Sequence, residues 1–176
     1  MVKTLYLLRH AKSSWKHADL ADHDRPLSKR GRRAADAMAR RFTELDTPDL
    51  VLCSTALRTR QTLERLSAAL KPAKVVLDQA IYSGGSRKLM KLLWNLPDSA
   101  GTVVLIGHNP ALHRLALTLA NQRSAARLPT LDGKFPTGAL ATFRFAGKWS
   151  ELHAGKAAVI DYVTPHDLAD RAKHAE

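Results

Sequence analysis

An arginine and a histidine stand side by side at the end of the first apolar run of the sequence. Residues 4–8 read Thr-Leu-Tyr-Leu-Leu, which predicts a strand, and Arg9 and His10 follow directly. Open α/β sheets bind ligands at the carboxyl ends of their strands, so the pair would lie at a ligand-binding edge. A guanidinium binds phosphate oxygens through two parallel hydrogen bonds, and a neutral imidazole can act as a nucleophile. The pair therefore indicates chemistry on a phosphoryl group.

Two further side chains have the same position relative to a predicted strand. Arg58 comes shortly after the apolar run 49–53, and His108 directly follows the apolar run 101–107. Each would lie near a helix start, where backbone N–H groups and the helix dipole favour an anion. Either residue alone would also fit a surface or structural role. Together with Arg9 and His10, they would place two guanidiniums and two imidazoles around a phosphoryl group, whose transfer depends on positioning and charge.

Strand and helix patterns alternate along the first 120 or so residues of the chain. The predicted strands are residues 4–8, 49–53, 75–77 and 101–107. The predicted helices begin after Ser28, after Ser54 or Thr55, after the loop 83–86, and at Asn109-Pro110, a typical N-cap and first-turn proline. This alternation predicts a three-layer α/β/α sandwich with a mostly parallel central sheet.

The last part of the chain has a different pattern. Residues 139–145 and 149–153 predict two strands, joined by a hairpin at Gly147 and Lys148. The polar segment 121–138 predicts a loop. Because no repeat or linker is visible, we expect one domain over residues 1–176, with a core over residues 3–164.

The chain is strongly basic, with a formal net charge of +12 over 176 residues. Such a charge can serve nucleic acid, an acidic protein or an anionic substrate. No zinc-finger spacing or RNA-binding aromatic pattern accompanies the densest cluster, residues 29–33, so we do not expect specific nucleic-acid binding. No apolar run is long enough to span a membrane. The lone Cys53 and the strand-like amino terminus, in place of a signal peptide, lead us to expect a cytoplasmic protein.

Three motifs carry the candidate residues: Leu-Arg-His-Ala at 8–11, Ser-Thr-Ala-x-Arg-Thr-x-Gln-Thr at 54–62, and Gly-His-Asn-Pro at 107–110. Together they resemble the histidine phosphatase superfamily, in the branch that includes the phosphoglycerate mutases. Arg-His-Ala in place of Arg-His-Gly, the short chain, Arg-Pro-Leu-Ser at 25–28 and Pro-Thr-Gly-Ala at 136–139 resemble the SixA-type phosphohistidine phosphatases within it.

The resemblance implies a phosphoglycerate mutase-like fold and a metal-independent phosphatase. His10 would attack phosphorus and become phosphohistidine, while Arg9, Arg58 and His108 would bind and neutralise the phosphoryl oxygens. No cofactor would be needed, since these cationic and imidazole groups supply the positive charge. The implied substrate is a phosphohistidine on a signalling or phosphotransfer protein. A phosphatase for small phosphate esters is the alternative. A basic nucleic-acid-binding or docking module without activity is a weaker one, because all four residues are intact.

One departure from the family concerns the proton donor. Many relatives carry Glu or Asp just after the third strand, where this chain has Gln79, and Asp78 falls at the end of the predicted strand. An amide cannot release a proton, so alkyl esters, whose alkoxide leaving groups need protonation, should be poor substrates. Cleavage of a phosphoramidate should be affected less by the missing acid, because its basic nitrogen can be protonated and then leaves as part of a neutral imidazole. Asp78 and Tyr82 stay open as alternative donors.

Two other patterns are weaker. Cys53 and Arg58 are one residue too close for a cysteine phosphatase loop, and no glycine lies between them. The segment that follows the first strand is rich in His and Asp but lacks regular metal-ligand spacing, so we expect a polar loop beside the pocket, with Trp15 covering the pocket or contacting a partner. The residues concerned are His10, His17, Asp19, Asp22, His23 and Asp24.

Overall fold

The chain folds around a central β-sheet. The computed structural model describes residues 1–16, 18–130 and 133–174. Its strands are β1 (Val2–Arg9), β2 (Leu50–Ser54), β3 (Lys74–Asp78), β4 (Thr102–Gly107), β5 (Leu140–Ala146) and β6 (Ala158–Val163). Within the described ranges these six strands form one sheet in the order β3-β2-β4-β1-β5-β6. The first four are parallel, and β5 and β6 add an antiparallel end.

Helices cover both faces of this sheet. They are α1 (Lys29–Phe42), α2 (Leu57–Leu66), α3 (Gln79–Ser83), α4 (Ser86–Trp94), α5 (Ala111–Leu119) and α6 (Pro165–Lys173). Leu5 and Leu7 of β1 belong to an apolar cluster with α4 and α5, whereas Tyr6 and Leu8 belong to a second cluster with α1 and α2. Successive strand residues point to opposite faces, so the two helix pairs lie on opposite sides of the sheet. The predicted α/β/α sandwich is confirmed.

The first helix is fixed closely against the loop that follows β1. As predicted, Ser28 caps α1, and its Oγ accepts a hydrogen bond from the Gly31 N–H at 3.0 Å. A Cβ at Gly31 would lie only 2.0 Å from the carbonyl oxygen of Lys12. The absence of a side chain at Gly31 therefore lets the helix approach the segment that begins with His10.

The predicted strand at residues 149–153 is wrong. Trp149–Glu151 forms a 3-10 turn, and the antiparallel partner of β5 is β6, further along the chain. The Trp149 ring is fully buried against Phe145, and its Nε1 donates a hydrogen bond to the Ala100 carbonyl at 2.7 Å. Trp149 gives this segment an apolar pattern because it anchors a turn in the core. Strand periodicity alone cannot distinguish such a buried turn from a strand.

Several helix starts differ from the prediction. Helix α2 begins at Leu57 with Ala56 at the N-cap position, rather than after a cap at Ser54 or Thr55. Helix α5 begins at Ala111, with Pro110 at the N-cap position, one residue later than the Asn109 cap and Pro110 start that the sequence predicts. Helix α3 was not predicted; it follows β3 without a break and is capped by Asp78. Among the described residues, no helix combines the length and apolar character that crossing a bilayer requires.

Candidate active site

The structure brings the four predicted side chains to the carboxyl edge of the parallel strands. Strand β1 ends at Arg9, and its register pairs Arg9 with Gly107 at the end of β4. The residues that follow, His10 and His108, are therefore neighbours, and their ring centroids are 5.0 Å apart. Arg58 lies in the first turn of α2, directly beyond the end of β2. Strand register thus gathers residues that are far apart in the sequence.

The His10 ring is buried and has a defined orientation. Only 6% of the residue is exposed, and Nδ1 lies 2.7 Å from the carbonyl oxygen of Ala11. A carbonyl can only accept, so Nδ1 carries the proton and Nε2 keeps its lone pair. Burial lowers the pKa of His10 to about 3, and nearby cations act in the same direction. The ring is therefore neutral at physiological pH, as a nucleophilic imidazole must be.

His108 is also held neutral by its surroundings. Its Nε2 is hydrogen-bonded to the Ser54 hydroxyl at 2.7 Å, while its buried Nδ1 has no hydrogen-bond partner among the described residues. Burial, followed by the charge of Arg58, lowers the pKa of His108 to about 4. A phosphoryl dianion beside this ring would raise the pKa of His108 again, since an opposite charge favours the protonated form.

The two arginines are anchored by different groups. Arg9 donates from Nη1 to the carbonyl of Phe135 at 2.7 Å, and its buried Nε has no partner in the described chain. Arg58 is buried, and it donates from Nη2 to Oδ2 of Asp22 at 2.9 Å and from Nη1 to the Asp22 carbonyl. Burial, followed by repulsion from Arg58, lowers the pKa of Arg9. Because the charge of Arg58 acts on Arg9, the pair is suited to neutralise an anionic group.

Asp22 is a site residue that the sequence did not single out as one. Its carboxylate accepts hydrogen bonds from Arg58 at 2.9 Å, Arg25 at 3.0 Å and the Tyr82 hydroxyl at 3.1 Å. Partial burial acts to raise the pKa of Asp22, but the hydrogen bonds outweigh it and hold the pKa below its usual value. Asp22 is thus a carboxylate rather than a proton donor. The sequence places Asp22 in a polar loop beside the pocket, but its pattern contains no signal for this network.

The residues after β3 do not place a carboxylic acid in the site. The Asp78 carboxylate accepts a hydrogen bond from the Ala80 N–H at 2.7 Å and so caps α3. Gln79 accepts a hydrogen bond from the Thr55 hydroxyl, and the Thr55 oxygen lies 3.0 Å from Nε2 of His23. Tyr82 contacts His108 edge-on, with ring centroids 5.5 Å apart. Of the two donors left open by the sequence, only Tyr82 faces the histidines.

The weaker candidates have structural roles. Cys53 is fully buried, donates to the Ser54 carbonyl at 3.3 Å, and has its pKa raised to about 12 by burial. Trp15 is 77% exposed and stacks under the guanidinium of Arg25, whose central carbon lies 3.2 Å from the ring centroid. Through Arg25 it is connected to the Asp22 network.

No metal centre is visible in the residues that the structure describes. Over 1–16, 18–130 and 133–174, no group of three or more His, Cys, Asp or Glu side chains is arranged to hold an ion. His17, one of the loop residues considered above, lies outside these ranges. The positive charge at the site comes from Arg9 and Arg58.

Comparison with known proteins agrees with this geometry. A sequence profile of the histidine phosphatase superfamily (branch 1) matches residues 5–82. An uncharacterized protein of Mycobacterium tuberculosis, Rv1276c, is 35% identical over 162 residues, which span 90% of this chain and 99% of that protein. The chain belongs to the histidine phosphatase superfamily.

Two solved structures are similar over nearly their whole length. The candidate phosphohistidine phosphatase SixA from Nakamurella multipartitia is 30% identical, with a TM-score of 0.82 over 94% of this chain and 97% of that one. Its counterpart from Agrobacterium tumefaciens is 29% identical, with a TM-score of 0.78 over 93% and 98%. The fold is therefore the phosphoglycerate mutase-like fold of these neighbours, and the family supports a phosphatase.

Proposed function

We propose that this protein is a phosphohistidine phosphatase that works through a covalent intermediate on His10. The observation that carries the proposal is the orientation of the His10 ring. Its Nδ1–H is directed to the Ala11 carbonyl, which leaves Nε2 as the free nucleophile, with the His108 ring 5.0 Å away. A neutral, oriented imidazole beside two arginines is what in-line attack on phosphorus requires.

The proposed reaction has two steps. In the first, His10 Nε2 forms a bond to phosphorus while the P–N bond of the substrate breaks, and the leaving imidazole takes up a proton from solvent, which water releases again in the second step. In the second, water attacks the phosphorylated His10, inorganic phosphate leaves, and the ring returns to its neutral form. Arg9, Arg58 and His108 would stabilise the oxygens of the phosphoryl group in both steps, because negative charge is spread over them.

The region after β3 supports a phosphoramidate over an alkyl ester. Asp78 is used as a helix cap and Gln79 cannot release a proton, so neither supplies the acid that an alkoxide leaving group needs. An imidazole nitrogen is basic enough to be protonated without a dedicated acid. We infer a protein-borne phosphohistidine as the substrate, in a signalling or phosphotransfer partner in the cytoplasm, which also suits the free Cys53 thiol.

Two measurements test this function. Brief exposure of the wild type to substrate should leave an acid-labile phosphoryl group on His10, and His10→Ala should lose turnover while it keeps its fold by circular dichroism. A His10→Ala enzyme with a tenth of wild-type turnover would remove His10 from this role.

The second measurement compares leaving groups. We expect kcat/KM to fall from phosphoimidazole, whose basic nitrogen is protonated without a dedicated acid, to p-nitrophenyl phosphate, whose leaving group needs little protonation, and then to 3-phosphoglycerate, whose alkoxide needs an acid. If 3-phosphoglycerate is the best substrate, the protein is a phosphatase for small esters, with Tyr82 as the first residue to examine as proton donor.

A further inference from the structure

A basic groove leads away from the candidate active site between α4 and α5. It starts as a cavity of about 330 Å³ that His108 and Tyr82 line, and which extends past Gly85 and Ser86 to Arg114. A second cavity of about 570 Å³ shares those last three residues and continues the groove outward. Its lining consists of Gly85, Ser86, Arg87, Lys88, Lys91 and Arg114. The groove therefore joins the candidate site to a surface that is rich in cations.

Among the residues that the structure describes, the cations of this groove have no carboxylate partners and are available to bind an anionic partner. Arg87, Lys88 and Lys91 lie on α4, Arg114 lies on α5, and all four are exposed. No carboxylate lines the outer cavity. Within the described chain, none of the four side chains forms an ion pair, whereas arginines elsewhere, such as Arg65 and Arg144, pair with aspartates. Four unpaired cations around one groove create a field that attracts an anionic partner.

From these observations we propose that the groove, defined by Arg87, Lys88, Lys91 and Arg114, docks an acidic segment of the phosphoprotein substrate beside its phosphohistidine. The inference rests on the proposed phosphatase activity, and adds where and how the partner is recognised. Arg87 and Lys91 are one helical turn apart, about 6 Å along the helix axis. They can therefore contact successive carboxylates of a partner that lies along α4.

An acidic protein surface fits this groove better than a small second anion. A small anion gains most from cations that are buried and hold it in a fixed geometry. The four cations here are exposed and sit on flexible stems, which suits a hydrated interface that increases the association rate and depends on salt.

Continuity with the candidate site distinguishes this groove from another basic cavity. That cavity, of about 380 Å³, is lined by Lys12, Arg30 and Lys134, but by none of the four candidate catalytic residues. Of these two cavities, the α4–α5 groove is the one whose cations lie on a path that reaches His108.

The test uses two phosphohistidine peptides that differ only in three flanking residues, Glu in one and Gln in the other. The enzymes are the wild type, the double variant Arg87→Glu/Lys91→Glu, and the control Arg33→Glu/Arg40→Glu. The control makes the same change of charge at exposed positions on α1, which lies on the opposite face of the sheet. At low salt we expect the wild type and the control to prefer the acidic peptide by about tenfold in kcat/KM. The double variant should lose this preference, and kcat/KM for phosphoimidazole should be the same in all three enzymes.

Binding of the same peptides separates the groove from the chemistry. We expect His10→Ala to bind the acidic peptide more tightly than the neutral one, and His10→Ala/Arg87→Glu/Lys91→Glu to bind both alike. Equal Kd values for the two peptides in the His10→Ala background would contradict docking in the groove. A preference for the acidic peptide that survives the charge reversal would contradict it as well. An acidic preference in binding without turnover of either peptide by the wild type supports the groove and overturns the phosphohistidine activity instead.

Discussion

Arg58 is held by Asp22 through two different groups of the same residue. Its Nη2 donates to the Asp22 carboxylate at 2.9 Å, and its Nη1 donates to the Asp22 backbone carbonyl. The neutral backbone carbonyl orients the Arg58 guanidinium without placing a negative charge beside it. The carboxylate, which also accepts from Tyr82 at 3.1 Å, places a negative charge where we propose that a phosphoryl group binds. The same contact therefore orients the arginine and repels its proposed ligand.

We predict that Asp22→Asn strengthens phosphate binding. The substitution removes the repulsive charge but keeps the backbone carbonyl that orients Arg58. Because the Asp22 side chain is 54% exposed and screened by solvent, the inhibition constant of inorganic phosphate should fall only about two- to fivefold. Competitive inhibition assays measure this. Asp24→Asn is the matched control, since it removes a charge from the same turn but contacts His23 rather than Arg58. A weaker phosphate affinity in Asp22→Asn would show that the carboxylate mainly orients the arginine.

The sequence was sufficient to predict the parts of the site that strand ends determine. Arg9, His10 and His108 follow apolar runs directly, so local pattern and the parallel-sheet rule are enough to place them at one edge. Asp22 could not be placed in the same way. It lies in a polar segment without periodicity, and its contacts with Arg58 and Tyr82 depend on how the loop folds back across the sheet edge.

The prediction of secondary structure met a related limit after β3 and after β5. Asp78 is both the last residue of β3 and the N-cap of α3. No turn residue separates the strand from the helix, so the sequence pattern shows no boundary there. Trp149 is buried in a turn, and its partner Ala100 is distant in the sequence. At Trp149 a tertiary contact decided the local structure, and single-sequence patterns contain no information about such contacts.

We predict that Arg9, Arg58 and His108 act as one unit. Each alanine substitution should reduce kcat/KM for phosphoimidazole on the order of 10²-fold or more, because each removes a donor from the charged oxygens. Double substitutions should cost much less than the product of the single losses, since the remaining groups no longer hold the phosphoryl in place. Steady-state kinetics of single and double variants decide this. Near-normal activity of Arg58→Ala would exclude Arg58 from the site.

We also predict that activity survives chelation. The proposed mechanism takes its positive charge from Arg9 and Arg58 and routes no step through a metal ion. The wild type should keep its full kcat/KM for phosphoimidazole after dialysis against excess EDTA. Activity that EDTA abolishes and that Mg²⁺ or Zn²⁺ restores would require a metal-dependent mechanism.

We expect Gly31→Ala to destabilise the protein, although alanine normally favours a helix. The new Cβ would lie 2.0 Å from the Lys12 carbonyl oxygen, which cannot move without shifting the loop after β1. Overpacking of this kind costs about 1–3 kcal/mol of unfolding free energy. Because the same loop carries His10, kcat should fall as well. Gly85→Ala is the control, since a Cβ there would have no atom within 4 Å. Urea unfolding compares the two variants, and equal midpoints would mean that the loop adapts at no cost.

The last prediction concerns stability in mild acid. Burial lowers the pKa of His10 to about 3 and that of His108 to about 4, whereas both rings titrate near pH 6.5 in the unfolded chain. Below pH 6.5 the unfolded state therefore binds more protons than the folded state, so stability is complete above that pH and is lost as the pH falls toward the folded pKa values. Each histidine should contribute a slope of about 1.4 kcal/mol per pH unit within this window. Urea unfolding between pH 7 and pH 5 should thus show a shallower loss for His108→Gln than for the wild type, whatever the effect of the substitution at pH 7. His153→Gln, at an exposed position, is the matched control and should keep the wild-type slope. An unchanged slope in His108→Gln would mean that its ring becomes protonated in the folded protein as readily as in the unfolded chain, which contradicts the lowered pKa of His108.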